Sequence, residues 1–387
     1  MNTNTNTKAF FELVSAGLWG TEVRLSDIGE IDYAAVMSIA EEQSVVGLVT
    51  AGLEHITDMK APKEVVLQFV GQSLQLEQRN SAMNQFIARL IDNLRNAGIY
   101  TLLLKGQEVA RCYEKPLWRA CGDVDLYLSD DNYKRAKLFL TPSASDIEKE
   151  YAREKHLGMT IDGFVVELHG RLYCGLSSRI ERELDQVHQD TFNDGSVRSW
   201  DNNGVQVFLL KAENDVFYVF THILQHFYKE GVGLRQICDW CRLLWSSRES
   251  LNHGLLESRI RKAGLITAWR TFGVFAVEYL GMPVEAMPLL NENDRSALPL
   301  GSSKNQNEKL KRKAKLIRDY ILSVGNMGHN RNMSYYAKYP FVIRKFISMW
   351  RRIGDVINHA RIFPMDSLRF FPRIMWNGMR SAVRGEG

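Results

Sequence analysis

The sequence predicts an α+β protein: a small mixed sheet flanked by helices, preceded by N-terminal helices and followed by a C-terminal helical domain. Three observations carry that expectation. Apolar residues recur at helical spacing on both sides of the middle of the chain. Short period-two segments cluster between residues 99 and 208, joined by Asp-Gly and Asn-Asn-Gly turns. The run Leu102-Leu-Leu-Lys-Gly106 reads as a buried strand that stops where a glycine opens a helix.

Taken in order, Met1-Asn-Thr-Asn-Thr-Asn-Thr7 is polar and repetitive, lacks an export-signal pattern, and is expected to be an unstructured end. A helical pattern runs from about Asp32, a candidate cap, to Glu54. Pro62 opens a second, whose positions Val65, Phe69, Leu76, Met83, Ile87, Leu90 and Leu94 predict an unusually long helix to Gly98, kinked near Gly71. Residues 1–98 form an N-terminal helical layer.

Residues 99–208 form the core around the sheet. The first strand is Ile99–Leu104, with a helix Gln107–Tyr113 behind it, and the second is Val124–Leu128. Ser129-Asp-Asp-Asn132 caps a short helix to Leu140. Runs at Glu150–Ile161 and Phe164–Leu168 flank Asp162-Gly163, and runs at Val197–Trp200 and Val205–Phe208 flank Asn202-Asn-Gly204, two hairpin signals. Residues 209–300 are helical: Val216, Phe220, Ile223 and Phe227 mark one buried face, and Leu234, Ile237, Cys241 and Leu244 the next. A polar loop, Gly301–Asn307, leads into a basic helical segment, 301–387.

The candidate chemistry lies on the second strand. Side chains alternate faces, so Asp123 and Asp125 point one way while Val124, Leu126 and Leu128 point into the core. Paired carboxylates on a rigid strand seat a divalent cation, and magnesium prefers hard oxygen ligands. Glu167, isolated between apolar neighbours in Val165-Val-Glu-Leu-His169, is a third acid that needs a reason to be there. By contrast His169 is expected on the opposite strand face, in a structural role.

The set Leu104-Lys-Gly106, Arg119 to Asp125 with Gly122-Asp-Val-Asp, Glu167-Leu-His169 and Gly233-Leu-Arg-Gln-Ile-Cys-Asp239 resembles an uncharacterised bacterial nucleotidyltransferase family. That family lies within the superfamily typified by DNA polymerase beta, and the resemblance spans roughly residues 30 to 250. It implies a polymerase-beta-like core that moves a nucleoside monophosphate from an NTP to an acceptor hydroxyl with release of pyrophosphate, using Mg2+ or Mn2+ in a two-metal mechanism. Asp123 and Asp125 then serve both metals and Glu167 the acceptor-side one.

Lys105 and Gly106 would lie beside the triphosphate, with Gly122 leading into the acids. Arg119 is the expected phosphate-side cation and Arg111 a second; the alternative for either is a structural ion pair. The spacing of His222 and His226 allows a shared metal, but the plainer reading is hydrogen bonding along the nucleotide cleft. Arg235 and Asp239 stand one turn apart, which a helix-surface ion pair explains. The resemblance also offers Asp239 or Glu230 as a general base.

Composition constrains the setting. Five cysteines in a chain of this length argue for a reducing, cytoplasmic compartment, and Cys238-x-x-Cys241, lacking a second pair, reads as buried helix positions rather than a metal or redox site. No apolar run reaches membrane-spanning length. Residues 304–387 hold eighteen Lys or Arg against five Asp or Glu, leaving 31 basic and 40 acidic residues before them. Lys309–Lys315 reads as a solvated basic helix face. Trp350-Arg-Arg352, Arg361, Arg369-Phe-Phe371, Arg373 and Trp376 interleave cations with aromatics, as a surface for the anionic inner face of a membrane or, less favourably, for nucleic acid would. Two other functions stay open: a non-catalytic nucleotide-binding protein of the same fold, and a nucleic-acid-modifying nucleotidyltransferase. The acceptor and the preferred NTP cannot be read from the residues.

Overall fold

The computed structural model describes residues 3–290, 304–330, 339 and 341–383. Met1, Asn2 and Gly301–Ser303 of the expected loop lie outside them, as do the side chains of Arg351 and Arg352. In chain order the helices are α1 (Thr3–Trp19), α2 (Tyr33–Glu42), α3 (Val46–Leu53), α4 (Lys63–Asn96), α5 (Gly106–Ala110), α6 (Asp130–Leu140), α7 (Ser178–Phe192), α8 (Ala212–Lys229), α9 (Leu234–Ser247), α10 (His253–Ala263), α11 (Ile266–Leu280), α12 (Lys304–Val324), α13 (Phe341–Ile362) and α14 (Pro364–Val383). The strands are β1 (Leu102–Leu104), β2 (Asp123–Tyr127), β3 (Asp146–Ile147), β4 (His156–Ile161), β5 (Phe164–His169), β6 (Val197–Asn202) and β7 (Val205–Leu210).

The strands form one mixed sheet in the order β3-β4-β5-β2-β1-β7-β6, with β2/β5 and β1/β7 parallel and the other pairs antiparallel. The α+β expectation therefore holds. Both hairpins form where Asp162-Gly163 and Asn203-Gly204 adopt positive φ, as tight hairpin turns require.

Alternation sorts the sheet's two faces. Leu103, Val124, Leu126, Val166, Leu168, Val207 and Leu209 pack against Met83, Phe86, Ile87 and Leu90 of α4 and Tyr133 and Ala136 of α6, forming a compact apolar layer. The other face turns Asp123, Asp125 and Tyr127 toward α8 and α7. Sheet and helices thus leave a polar seam on one side of an otherwise apolar sandwich.

Several expectations need correction. The N-terminal end is not unstructured: α1 begins at Thr3, and Asn6 is buried with its side-chain oxygen accepting from the Asp32 amide. Polar residues at the head of a helix fold when its later turns, here Phe10, Leu13 and Val14, bury fully. The pattern from Asp32 is two helices, broken at Ser44 with φ 56°; Asp32 does cap the first, accepting from the amides of Ala34 and Ala35. Helix α4 runs uninterrupted through Gly71. Lys304–Asn307, expected in a loop, open α12.

The N-terminal helices also do more than precede the sheet. Residues of α1, α2 and α3 share one apolar core with α8, α9 and α11. Gly17 and Gly52 let α1 and α3 touch backbone to backbone, since a β-carbon at either would stand 2.0 Å from a carbonyl oxygen of the other helix.

Candidate active site

The cleft is built where the first βα junction meets α8 and α9. After β1 the chain turns through Lys105 and Gly106, both at positive φ (48° and 46°). For lysine that conformation is strained. For Gly106 it is required, and a β-carbon there would also press within 3.2 Å of Cys121 Sγ. The turn brings Lys105 Nζ to 3.0 Å from Asp125 Oδ1 and 3.3 Å from His222 Nε2 on α8. Helix α5, with five residues, is too short to act as a strong dipole toward a phosphate.

Parallel pairing of β2 with β5 sets Asp125 directly beside Glu167. One oxygen from each of Asp123, Asp125 and Glu167 falls within 4.8 Å of the others, so the three predicted acids do converge. Oδ2 of Asp125 is buried and accepts no hydrogen bond among the described residues. An uncompensated buried carboxylate oxygen is costly, and an oxygen-rich trio of this kind fits a divalent cation. Oδ1 of the same residue is shared by Lys105 and by His169, whose Nε2 donates to it at 2.7 Å, so a cation using that oxygen displaces one of the two.

Charge crowding shows in the acidities. The neighbouring Asp125 charge, with burial, raises the pKa of Asp123. Burial would raise Glu167 as well, yet hydrogen bonds from His156 and His169 and the charge of Lys105 hold it well below the usual range. Burial opposes the charge on Lys105, but Asp125 foremost, with Tyr218 and Asp123, keeps its pKa raised. His222, desolvated and beside Lys105, is pushed well below the ordinary histidine value and sits as a neutral imidazole.

The cleft, about 310 Å³, is lined by Lys105, Gly106, Arg119, the acid trio, His222, His226, Arg235 and Asp239 among others. Of the predicted residues, Arg111 and Gly122 are not in the lining. Arg111 turns instead to Glu108 of α5, which with Arg198 and Asp215 forms a buried charged cluster. His222 and His226 face each other at 3.2 Å, and His226 Nδ1 stands 3.1 Å from Glu230, so they act as hydrogen-bonding residues along the cleft.

Two pairings differ from expectation. Asp239 pairs with Arg119, which donates to it through Nε at 3.0 Å and Nη2 at 2.6 Å, and with the Tyr113 hydroxyl at 2.7 Å. Its neighbour one turn away, Arg235, donates to the Ala120 carbonyl. The helix-surface pair Arg235/Asp239 is replaced by a buried long-range tie, because α9 is buried along this face. Burial alone would raise the pKa of Asp239, but Arg119 holds it below its ordinary value, and the bidentate pairing occupies both of its oxygens. Arg119, buried and bidentate, matches the structural ion pair left open above, although it also lines the cleft and its buried Nη1 has no hydrogen-bond partner among the described residues.

His169 is the clearest correction. Two residues from Glu167 on one strand, it shares the acid's face and reaches both Asp125 and Glu167. His156, not anticipated at all, lies opposite it in the hairpin. The five cysteines are free and buried, as expected for Cys238 and Cys241.

An α+β chain with a carboxylate trio on the floor of a cation-lined cleft is thus defined by fold and geometry together. Residues 29–281 match the model of a family described as uncharacterised nucleotidyltransferases, and the chain belongs to that family. Among solved structures it is similar to an antigenic nucleotidyltransferase-like protein from Paracoccidioides brasiliensis, at 15% identity and a TM-score of 0.30, over 55% of this chain and 94% of that one; so loose a likeness carries no argument. No curated protein matches the chain. Family membership supports a transferase role.

Proposed function

We propose that this protein is a metal-dependent nucleotidyltransferase that moves a nucleoside monophosphate from an NTP to an acceptor hydroxyl of a small molecule, a sugar or glycolipid intermediate, or a protein, with release of pyrophosphate. The observation that carries this reading is the convergence of Asp123, Asp125 and Glu167 beneath a cleft that Lys105 enters. Bound Mg2+ or Mn2+ would lower the acceptor's pKa and neutralise the leaving charge.

The chain's own residues supply the rest. Asp123 and Asp125 offer ligands from a rigid strand, and Glu167 offers one from its parallel neighbour. Lys105, on its strained turn, sits where it can leave Asp125 for a phosphate once a cation takes over that carboxylate. His222, held neutral, gives Lys105 a second partner.

Incubating the protein with each of four labelled NTPs and a cell-extract acceptor pool tests the reading. D123N/D125N should abolish metal-dependent transfer while keeping the wild-type circular dichroism of a folded protein; full transfer by that variant refutes the assignment.

The basic C-terminal segment supports a second element, peripheral contact with an anionic membrane. No helix among the described residues is long and apolar enough to cross a bilayer. Yet α13 and α14 expose Ile357, Met365, Leu368, Trp350 (69%) and Trp376 (56%) alongside exposed Arg361 and Arg369, as an interfacial helix pair would. Lys309, Lys311, Arg312 and Lys315 form an exposed basic face on α12 over buried Ala314 and Ile317. Sedimentation with anionic and neutral liposomes should differ, and equal recovery in both ends the membrane element.

A further inference from the structure

We propose a mixed nitrogen and oxygen metal site formed by His156, Glu167 and His169, which takes a borderline divalent transition cation of the Mn2+, Co2+ and Zn2+ kind. It deepens the reading above, on which its catalytic meaning rests: Glu167 is common to this site and to the acid trio, so the acceptor-side cation would carry imidazole ligands.

The geometry comes from the β4–β5 hairpin. His156 and His169 are direct cross-strand partners, and Glu167 lies two residues before His169 on the same face. Nε2 of His156 is 3.1 Å from Glu167 Oε2 and Nε2 of His169 is 3.4 Å from the same oxygen; the nearer contact of His169 Nε2, to Asp125 at 2.7 Å, gives way when that nitrogen loses its proton to bind an ion. Ligands about 2.1 Å from one ion, at right or tetrahedral angles to each other, stand about 3.0–3.4 Å apart. All three ligand atoms fall within 4.8 Å of one another.

The three side chains are partly exposed toward the cleft, so an ion has a route in. The residue across the ladder from Glu167 is Gly158, which puts no side chain over the carboxylate. Glu148 Oε2 lies 2.5 Å from where a β-carbon on Gly158 would stand, so the space holds a further carboxylate.

Two imidazoles are poor ligands for Mg2+, which demands oxygen, and good ones for the later divalent metals. Hydrogen bonding alone would also draw both rings to Glu167. What distinguishes a metal site is retention of an ion through nitrogen.

The full-length protein, stripped with chelator, is titrated with Co2+ by visible absorption and calorimetry, and loaded with Mn2+ for pulsed EPR. Wild type should show nitrogen modulation from bound Mn2+. H156A/H169A should bind Co2+ on the order of 100-fold more weakly, and D123N/D125N should keep nitrogen-coordinated Co2+. Absence of nitrogen modulation in the wild type, which needs no variant to fold, overturns the proposal, as does an unchanged affinity in H156A/H169A with wild-type circular dichroism. Full Mg2+-supported transfer without any nitrogen-ligated ion would sink this site and leave the transferase standing. Nitrogen-bound Co2+ in a protein that transfers nothing would keep the site and sink the transferase.

Discussion

Arg119 and Asp239 meet across 120 residues, joining the loop before β2 to α9, with side chains only 4% and 7% exposed. Replacing Asp239 with Ala leaves a guanidinium that cannot shed its proton, buried and without its bidentate partner. Breaking such a pair from one side costs about 3–5 kcal/mol. Asp239→Ala should fall at the upper end of that range. Arg119→Ala should fall lower, since Asp239 can take up a proton and keep the Tyr113 hydroxyl.

With unfolding entropy of about 2.1 cal/mol/K per residue, a chain of 387 residues melting as one unit loses about 5 °C for 4 kcal/mol. The paired replacement R119M/D239L removes both charges and should recover most of that loss. Differential scanning calorimetry of the four proteins reads this cycle, and NTP affinity is measured alongside. If R119A melts with the wild type while its triphosphate affinity collapses, the arginine is a phosphate ligand and the structural account is wrong.

The same pair sets a pH dependence. Asp239 has a depressed folded pKa, so it binds fewer protons folded than unfolded just below its ordinary value. Its contribution is present above about pH 4 and lost as pH falls through the folded value; the melting gap between wild type and Asp239→Ala should shrink in acid below about pH 4 and hold steady from 5 to 7. Gly106→Ala should cost about 1–2 kcal/mol in urea unfolding, from its positive φ and its contact with Cys121, and should lower transfer by moving Lys105. Gly52→Ala, with its β-carbon 2.0 Å from the Leu13 carbonyl, should cost about 3 kcal/mol or more, whereas Gly71→Ala, with nothing within 4 Å inside α4, should gain about 0.5–1 kcal/mol. Equal effects of those two substitutions in thermal melts would refute the close α1–α3 contact.

Much of the site was legible in local pattern. Period-two alternation by itself places Asp123 and Asp125 on one face and Val124, Leu126 and Leu128 in the core. The same rule, applied to β5, puts His169 beside Glu167; expecting it on the opposite face was a miscount of the alternation. The Asp162-Gly163 turn also fixes the hairpin register, pairing 161 with 164 and therefore 156 with 169, so His156 too had a signal in the chain.

What the residues alone determined, then, is everything carried by neighbours along one strand or across one tight turn: the acid pair, the third acid's face, and the two histidines beside it. Only the tertiary structure decided the partners of Arg119, Arg235 and Lys105, each of which took one from another element, whereas Arg111 kept Glu108 three residues away. The physical reason is desolvation. A long cationic side chain can reach many acids, and which it keeps depends on which of them packing removes from water, a property of α8 and α9 closing over the sheet and not of any local run of residues.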